Sequence, residues 1–170
     1  MLDFKIMDGA MGSELIRRGL ILTEHTWSAD ANISNPDMVL QIHKEYVDAG
    51  ADYITANTFR TTPRAYGKED RIQDAEKKAK ESMKIAVENA KKAAGNKSQI
   101  LGSIAPLEDC YSPKMFPGKH MATSEFHQLG EWFSATGIDI LLLETMNSIA
   151  ETEVGLFSLQ SFELPLWVSF

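Results

Sequence analysis

The 170 residues amount to about one domain of ordinary size, and 44% hydrophobic content supports a packed core and excludes a disordered chain. Seventeen basic against 24 acidic residues leave a net charge of −7, which offers no general attraction to phosphate backbones or anionic lipid and argues against nucleic-acid and membrane partners. A single cysteine, Cys110, excludes an internal disulfide framework and a multi-cysteine zinc site and fits a reducing compartment. With no basic leader before a long apolar run, and no stretch near the roughly 18 apolar residues of a membrane span, a soluble cytoplasmic chain is expected.

Five short apolar runs read as strands: Phe4–Met7, Asp52–Thr55, Ile100–Ile104, Ile138–Leu143 and Leu166–Phe170. Their continuous apolar character suits strands covered on both faces. Helical patterns lie between them. Asn35-Pro36-Asp37 reads as an N-cap, a first-turn proline and a first-turn acid, opening a helix with Val39, Ile42, Tyr46 and Val47 on one face and a stop at Gly50. A second helix is predicted from about Glu69 to Ala94, with Ile72, Ala75, Ala79, Met83, Ala86, Val87 and Ala90 inward and Gly95-Asn96 closing it. A third spans about Thr123 to Thr136 on Phe126, Leu129 and Phe133 and ends at Gly137. A fourth opens on the capping box Ser148-Ile149-Ala150-Glu151 and continues through Val154 and Phe157. Residues 68–97 hold nine basic and six acidic side chains interleaved with an apolar stripe, the pattern of a solvated outer helix face.

Alternating strands and helices imply parallel pairing with right-handed crossovers. Two α/β architectures remain open: a doubly wound sheet, or an incomplete (β/α)8 barrel of about five parallel strands and four main helices within one domain, residues 1–170. Gly9-Ala10-Met11-Gly12 is a poor match to a dinucleotide loop, and no phosphate-binding lysine loop is present. In either fold, residues just past the strand ends line the site. Those positions hold Asp8 and Gly9, Asn57 and Thr58, Ser103, and Glu144. Two carboxylates meeting at one mouth suit an acid/base pair, a cation, or an ammonium group. Gly9 and Ala10 precede a helix start whose N–H groups suit a carboxylate. The flanking acids Glu108 and Asp109 do not favour a thiolate at Cys110, and the four histidines form no ligand motif. Trp27, Tyr66, Tyr111 and Phe116 are candidates to wall a pocket.

At these positions the sequence resembles the homocysteine S-methyltransferase family. The likeness rests on Asp8-Gly9-Ala10-Met11-Gly12-Ser13-Glu14-Leu15, on residues 49–59 (AGADYITANTF), on Gly102-Ser103-Ile104-Ala105-Pro106, on residues 141–146 (LLLETM) and on Trp167-Val168-Ser169-Phe170. The resemblance implies a (β/α)8 barrel that methylates the thiol of homocysteine, giving methionine. It implies that Asp8 and Glu144 hold the substrate ammonium, that Gly9 and Ala10 receive its carboxylate, and that Asn57 and Thr58 line the pocket, with Ser103 beside them. Family members activate the thiol with zinc on three cysteines, none of which is present, so no metal ligand and no catalytic residue is assigned here. A methyl donor is the second expected small-molecule partner, of a kind the sequence does not specify. Such a barrel takes about 250 residues, so the chain is expected to be catalytically incomplete. The alternatives are a non-catalytic amino-acid-binding half-barrel, its edges covered by homo-oligomerisation, and a metal-free barrel enzyme using Asp8 and Glu144 as an acid/base pair.

Overall fold

The computed structural model describes residues 4–69 and 72–170. Among them lie four strands, β1 (Tyr53–Ala56), β2 (Gln99–Ile104), β3 (Ile140–Leu143) and β4 (Leu166–Val168), all parallel and in the order β1-β2-β3-β4. Sequential strands that pair side by side in parallel, each reached through a helix, build the wall of a (β/α)8 barrel, not a doubly wound sheet, in which strand order reverses. The helices are α1 (Met11–Arg17), α2 (Ala31–Ser34), α3 (Pro36–Asp48), α4 (Pro63–Glu69), α5 (Ile72–Ala94), α6 (Lys119–Ser134) and α7 (Ile149–Leu159). None of them is long and apolar enough to cross a membrane.

Because strand side chains alternate, the sheet presents two faces. Ile54, Ala56, Ile100, Ile104, Leu141 and Leu143 point to the helices and join Met83, Val87, Phe126, Phe133 and Leu159 in the principal core. Leu101, Ile140 and Leu142 point the other way, under Tyr53 and Trp167. Those two rings, from the first and last strands, meet edge to face with centroids 4.9 Å apart, so the sheet is rolled enough for its ends to touch across the concave face. Gly102 is required by the helix side. A Cβ there would stand 2.5 Å from Ile138 and 2.7 Å from Phe133. Gly102→Ala is expected to destabilise the fold by about 1–3 kcal/mol through overpacking, read as a lower midpoint in urea unfolding.

The predicted first strand is reduced to a single bridge between Met7 and Tyr53. Carboxylates replace the backbone at both ends of its ladder. Asp52 accepts the Ile6 N–H at 2.9 Å, and the Thr55 N–H donates to the Asp8 carboxylate at 2.9 Å, where a regular ladder would offer the Asp8 carbonyl. The same device recurs at β3, where Asp139 accepts the Ile100 N–H at 2.7 Å. In both places the acid follows a helix-ending glycine at positive φ, Gly50 (+96°) or Gly137 (+71°), and one buried apolar residue, Ala51 or Ile138. Gly-apolar-Asp is thus a repeated joint that ends a helix, turns the chain and locks the new strand to its neighbour.

Other boundaries move for physical reasons. Asn35 does not cap α3 through its side chain; its carbonyl instead accepts the Met38 N–H at 3.1 Å. The Ser148 hydroxyl does accept the Glu151 N–H, at 3.4 Å. The predicted helix from Glu69 to Ala94 is found as α5, and α4 before it was not foreseen; Asp70 and Arg71, and the side chain of Ile72, lie outside what is described. The third helix starts a turn early, at Lys119, after Gly118 at φ +90°. Phe157, expected on an inward face, is 68% exposed, as is its neighbour on α7, Ile149, at 74%.

Candidate functional site

The C-terminal ends of the strands gather four of the seven expected residues around two carboxylates. Asp8 leaves the bridge with β1 and holds the Thr55 N–H. Burial pushes its carboxyl up to about 6, the Thr55 hydrogen bond opposes that, and the nearby charge of Glu144 adds to it. Glu144 follows β3, and the fully buried Ser103 hydroxyl on β2 donates to its carboxylate. Ser103 also accepts the Thr58 hydroxyl on its carbonyl, at 2.8 Å, tying the ends of β1 and β2 together. Three strand ends and the bridged segment therefore aim two acids at one mouth.

The backbone after Glu144 is strained. Thr145 sits at φ +58°, a left-handed conformation that a β-branched residue rarely adopts. It is held there by Ser169, whose hydroxyl accepts the Thr145 N–H at 3.1 Å and whose carbonyl accepts the Met146 N–H at 2.8 Å. Strain of this kind persists where surrounding contacts over-determine it, and it turns Glu144 toward Ser103. Thr145→Gly is expected to raise stability by up to about 1 kcal/mol in thermal or urea unfolding while loosening Glu144. A loss of stability would show that Thr145 is not strained.

Asn57 and Thr58 are buried, and protein partners take up their polar atoms. The Asn57 amide donates to the Ser28 carbonyl (2.7 Å) and the Asn32 side chain (2.9 Å), and its oxygen accepts from the Ser28 hydroxyl at 2.6 Å. They pin the loop at 28–32 to the strand end. Gly9 lies beneath Tyr46: a Cβ there would meet the ring at 2.6–2.8 Å. Ala10 precedes α1 with no side chain able to cap it, so the first N–H groups of that helix, which no intrahelical carbonyl reaches, lie at the same end as the acids.

Sequence reading named Trp27 and Tyr111 singly but did not foresee that they gather with Phe59 and Arg60. Trp27 stacks on Phe59 at 5.7 Å and approaches Tyr111 at 6.4 Å, and the Arg60 guanidinium lies 4.9 Å over the Trp27 ring. Trp27 lines a pocket, as expected of it, and so does Phe116, which also packs on the main core; Tyr111 is 82% exposed, and Tyr66 is core, its hydroxyl donating to the Ala29 carbonyl at 3.2 Å. Cys110 is buried beside Arg60, with burial pushing its thiol up. Among the described residues no three His, Cys, Asp or Glu side chains are grouped to hold a metal. A zinc site does not fit these described residues.

Comparison with known proteins converges on one family. Residues 5–170 match the family model for homocysteine S-methyltransferase. The chain is 34% identical over 64 residues to the homocysteine S-methyltransferase of Escherichia coli (strain K12), an alignment covering 38% of this chain and 21% of that protein. It is 37% identical over 57 residues to the homocysteine S-methyltransferase YbgG of Bacillus subtilis (strain 168), covering 34% and 18%. The crystal structure of the homocysteine methyltransferase MmuM from Escherichia coli in its metallated form superposes with a TM-score of 0.88 at 25% identity, over 99% of this chain and 63% of that one. The chain thus spans less than two thirds of the structure it matches.

Proposed function

The chain belongs to the homocysteine S-methyltransferase family, and from that membership we propose that it forms the amino-acid end of an active site that methylates L-homocysteine to L-methionine. In this reading the strands are the N-terminal part of a single (β/α)8 domain, working in the cytoplasm, where a thiol substrate stays reduced. Asp8 and Glu144 hold the substrate ammonium, and the N–H groups at Gly9, Ala10 and the start of α1 take its carboxylate. Asn57, Thr58 and Ser103 line the pocket indirectly, by fixing the strand ends and Glu144. In the reaction the sulfur loses its proton and its electron pair forms the new bond to carbon. The donor's bond to the methyl breaks, leaving that pair on the donor. Family members draw on zinc for the thiolate; the described residues do not fit that metal, and toward homocysteine their part is to hold the amino acid.

One observation supports this assignment above the others. A carboxylate is kept in a poorly solvated place, at the cost of a raised pKa, beside a second one that Ser103 orients. An ammonium group resolves that arrangement better than a proton does. Calorimetric titration with L-homocysteine and with 4-mercaptobutanoate, which lacks the amine, tests it. The desamino compound is expected to bind at least about tenfold more weakly, the worth of one charged hydrogen bond. Equal affinities would remove the ammonium pocket and favour the acid/base reading of the two carboxylates.

A further inference from the structure

We propose that the groove between α6 and α7 is a two-fold docking surface for a second copy of this chain, each copy placing Phe157 in the groove of the other. The proposal is independent of the methyl-transfer reading. It concerns the outer helical layer, not the amino-acid site.

Phe157 leaves a large apolar ring in water, 68% exposed on α7. The ring stands at the rim of a cavity of about 340 Å³, whose other apolar walls are Phe116, Ala150 and Val154. Val154 belongs to the principal core and Phe116 packs against it, so packing holds these walls in place with no ligand needed. Ile149, 74% exposed at the start of the same helix, extends the apolar surface. A single exposed apolar side chain is ordinary on a protein surface. An exposed aromatic ring beside an apolar hollow is different, because together they are the knob and the hole of a contact between two copies.

The charges at the rim select the occupant. Lys119, the first residue of α6, and Glu153 on α7 border the same cavity, and neither forms an ion pair among the described residues. A two-fold contact has to be self-complementary, since the same patch is offered by both copies. A knob beside a hole, flanked by one positive and one negative group, meets that condition. In the pair, each Lys119 comes to the partner's Glu153 as each Phe157 enters the partner's groove. A partner of one charge sign would instead oppose one of the two rim groups. Closing the barrel does not cover this face. α6 and α7 already pack side by side, and α7 leads from β3 to β4, so a helix following β4 would lie on the far side of α7 from the groove.

Sedimentation velocity of the full chain, from about 1 to about 100 µM, tests this. The mass is expected to rise with concentration from that of one 18.9 kDa chain to twice that value. Phe157→Glu is expected to weaken the dimer at least about 100-fold, because each copy loses its anchor and puts a charge into an apolar hollow. The site is exposed, so the variant should keep the wild-type urea midpoint at a concentration where both are single chains. Lys119→Glu and Glu153→Lys, which bring like charges together, are each expected to weaken the dimer by about threefold or more. The double variant restores opposite charges and is expected to recover wild-type association. A wild-type chain that stays single throughout the range overturns the proposal. So does a dimer indifferent to Phe157→Glu, which would place association at the sheet edges, and so does a double variant that recovers nothing.

Discussion

Asp8→Asn is expected to weaken L-homocysteine binding by about 10- to 100-fold at neutral pH while making the unliganded fold more stable, by about 1–3 kcal/mol. Both effects come from one carboxylate. Its pKa is raised from the ordinary value of 3.8 to about 6, chiefly by burial. An acid with a raised folded pKa contributes stability that is full below the unfolded value and is lost as pH rises through the folded one. Between pH 4 and 6 the wild-type fold therefore loses stability, and the neutral amide, which still offers an oxygen to the Thr55 N–H, avoids that loss. Ligand binding has the opposite slope. An ammonium needs the ionised carboxylate, so wild-type affinity falls as pH drops below about 6, and Asp8→Asn lacks that dependence. Calorimetric titration from pH 5 to 8, beside urea unfolding at the same values, separates the two slopes. A variant that binds weakly and is also less stable would make Asp8 a structural residue, a helix-start or turn acid.

Glu144 should behave differently. Its carboxylate is partly exposed and held by the Ser103 hydroxyl, so Glu144→Gln is expected to lose affinity without a matching gain in stability. The comparison between the two acids distinguishes an ammonium clamp from a shared-proton pair, in which removing either acid would shift the pKa of the other strongly.

Much of this arrangement was legible from residue order alone, for reasons that particular positions make plain. A strand covered on both faces has to be apolar throughout, so Ile140-Leu141-Leu142-Leu143 announces β3, and the first polar residue after it falls at the mouth. Gly50, Gly95 and Gly137 end helices because each adopts a positive φ. What stayed hidden was decided by side chains acting at a distance in sequence. The Phe4–Met7 run has a strand's composition, yet its ladder is taken over by Asp52, 46 positions from Ile6, and by Asp8, 47 positions from Thr55. Asn57 and Thr58 looked like pocket residues because they follow a strand, but Ser28, Asn32 and Ser103 consume their polar groups. Periodicity marked Phe157 as apolar on a helix; it carries no information on whether a neighbour covers that face. Arg60 gave no signal beyond its charge, because the burial and the stacking on Trp27 are made by a loop some thirty residues earlier.

His43 carries the second large expected effect, and it runs against Asp8. The ring lies on α3, wholly buried, with neither nitrogen hydrogen-bonded among the described residues, and burial pushes its pKa down to about 4. Histidine in the unfolded chain picks up its proton near 6.5. Below that pH the unfolded state binds a proton that the fold refuses, so stability falls as pH drops from 6.5 toward 4, by up to about 3 kcal/mol. Replacing His43 by Leu is expected to remove that acid limb and, by deleting two unsatisfied polar atoms, to add about 1–3 kcal/mol at pH 7. Over pH 4 to 6 the wild-type chain gains stability from Asp8 on acidification and loses it from His43, so its profile should be nearly flat there. His43→Leu should uncover the Asp8 limb, rising toward acid; Asp8→Asn should uncover the His43 limb, falling toward acid; the double variant should be flat again. Urea unfolding of the four proteins at half-unit pH steps reads this directly. If His43→Leu left the profile unchanged, a partner for the imidazole would have to exist in the folded chain, and the buried ring would be a satisfied one.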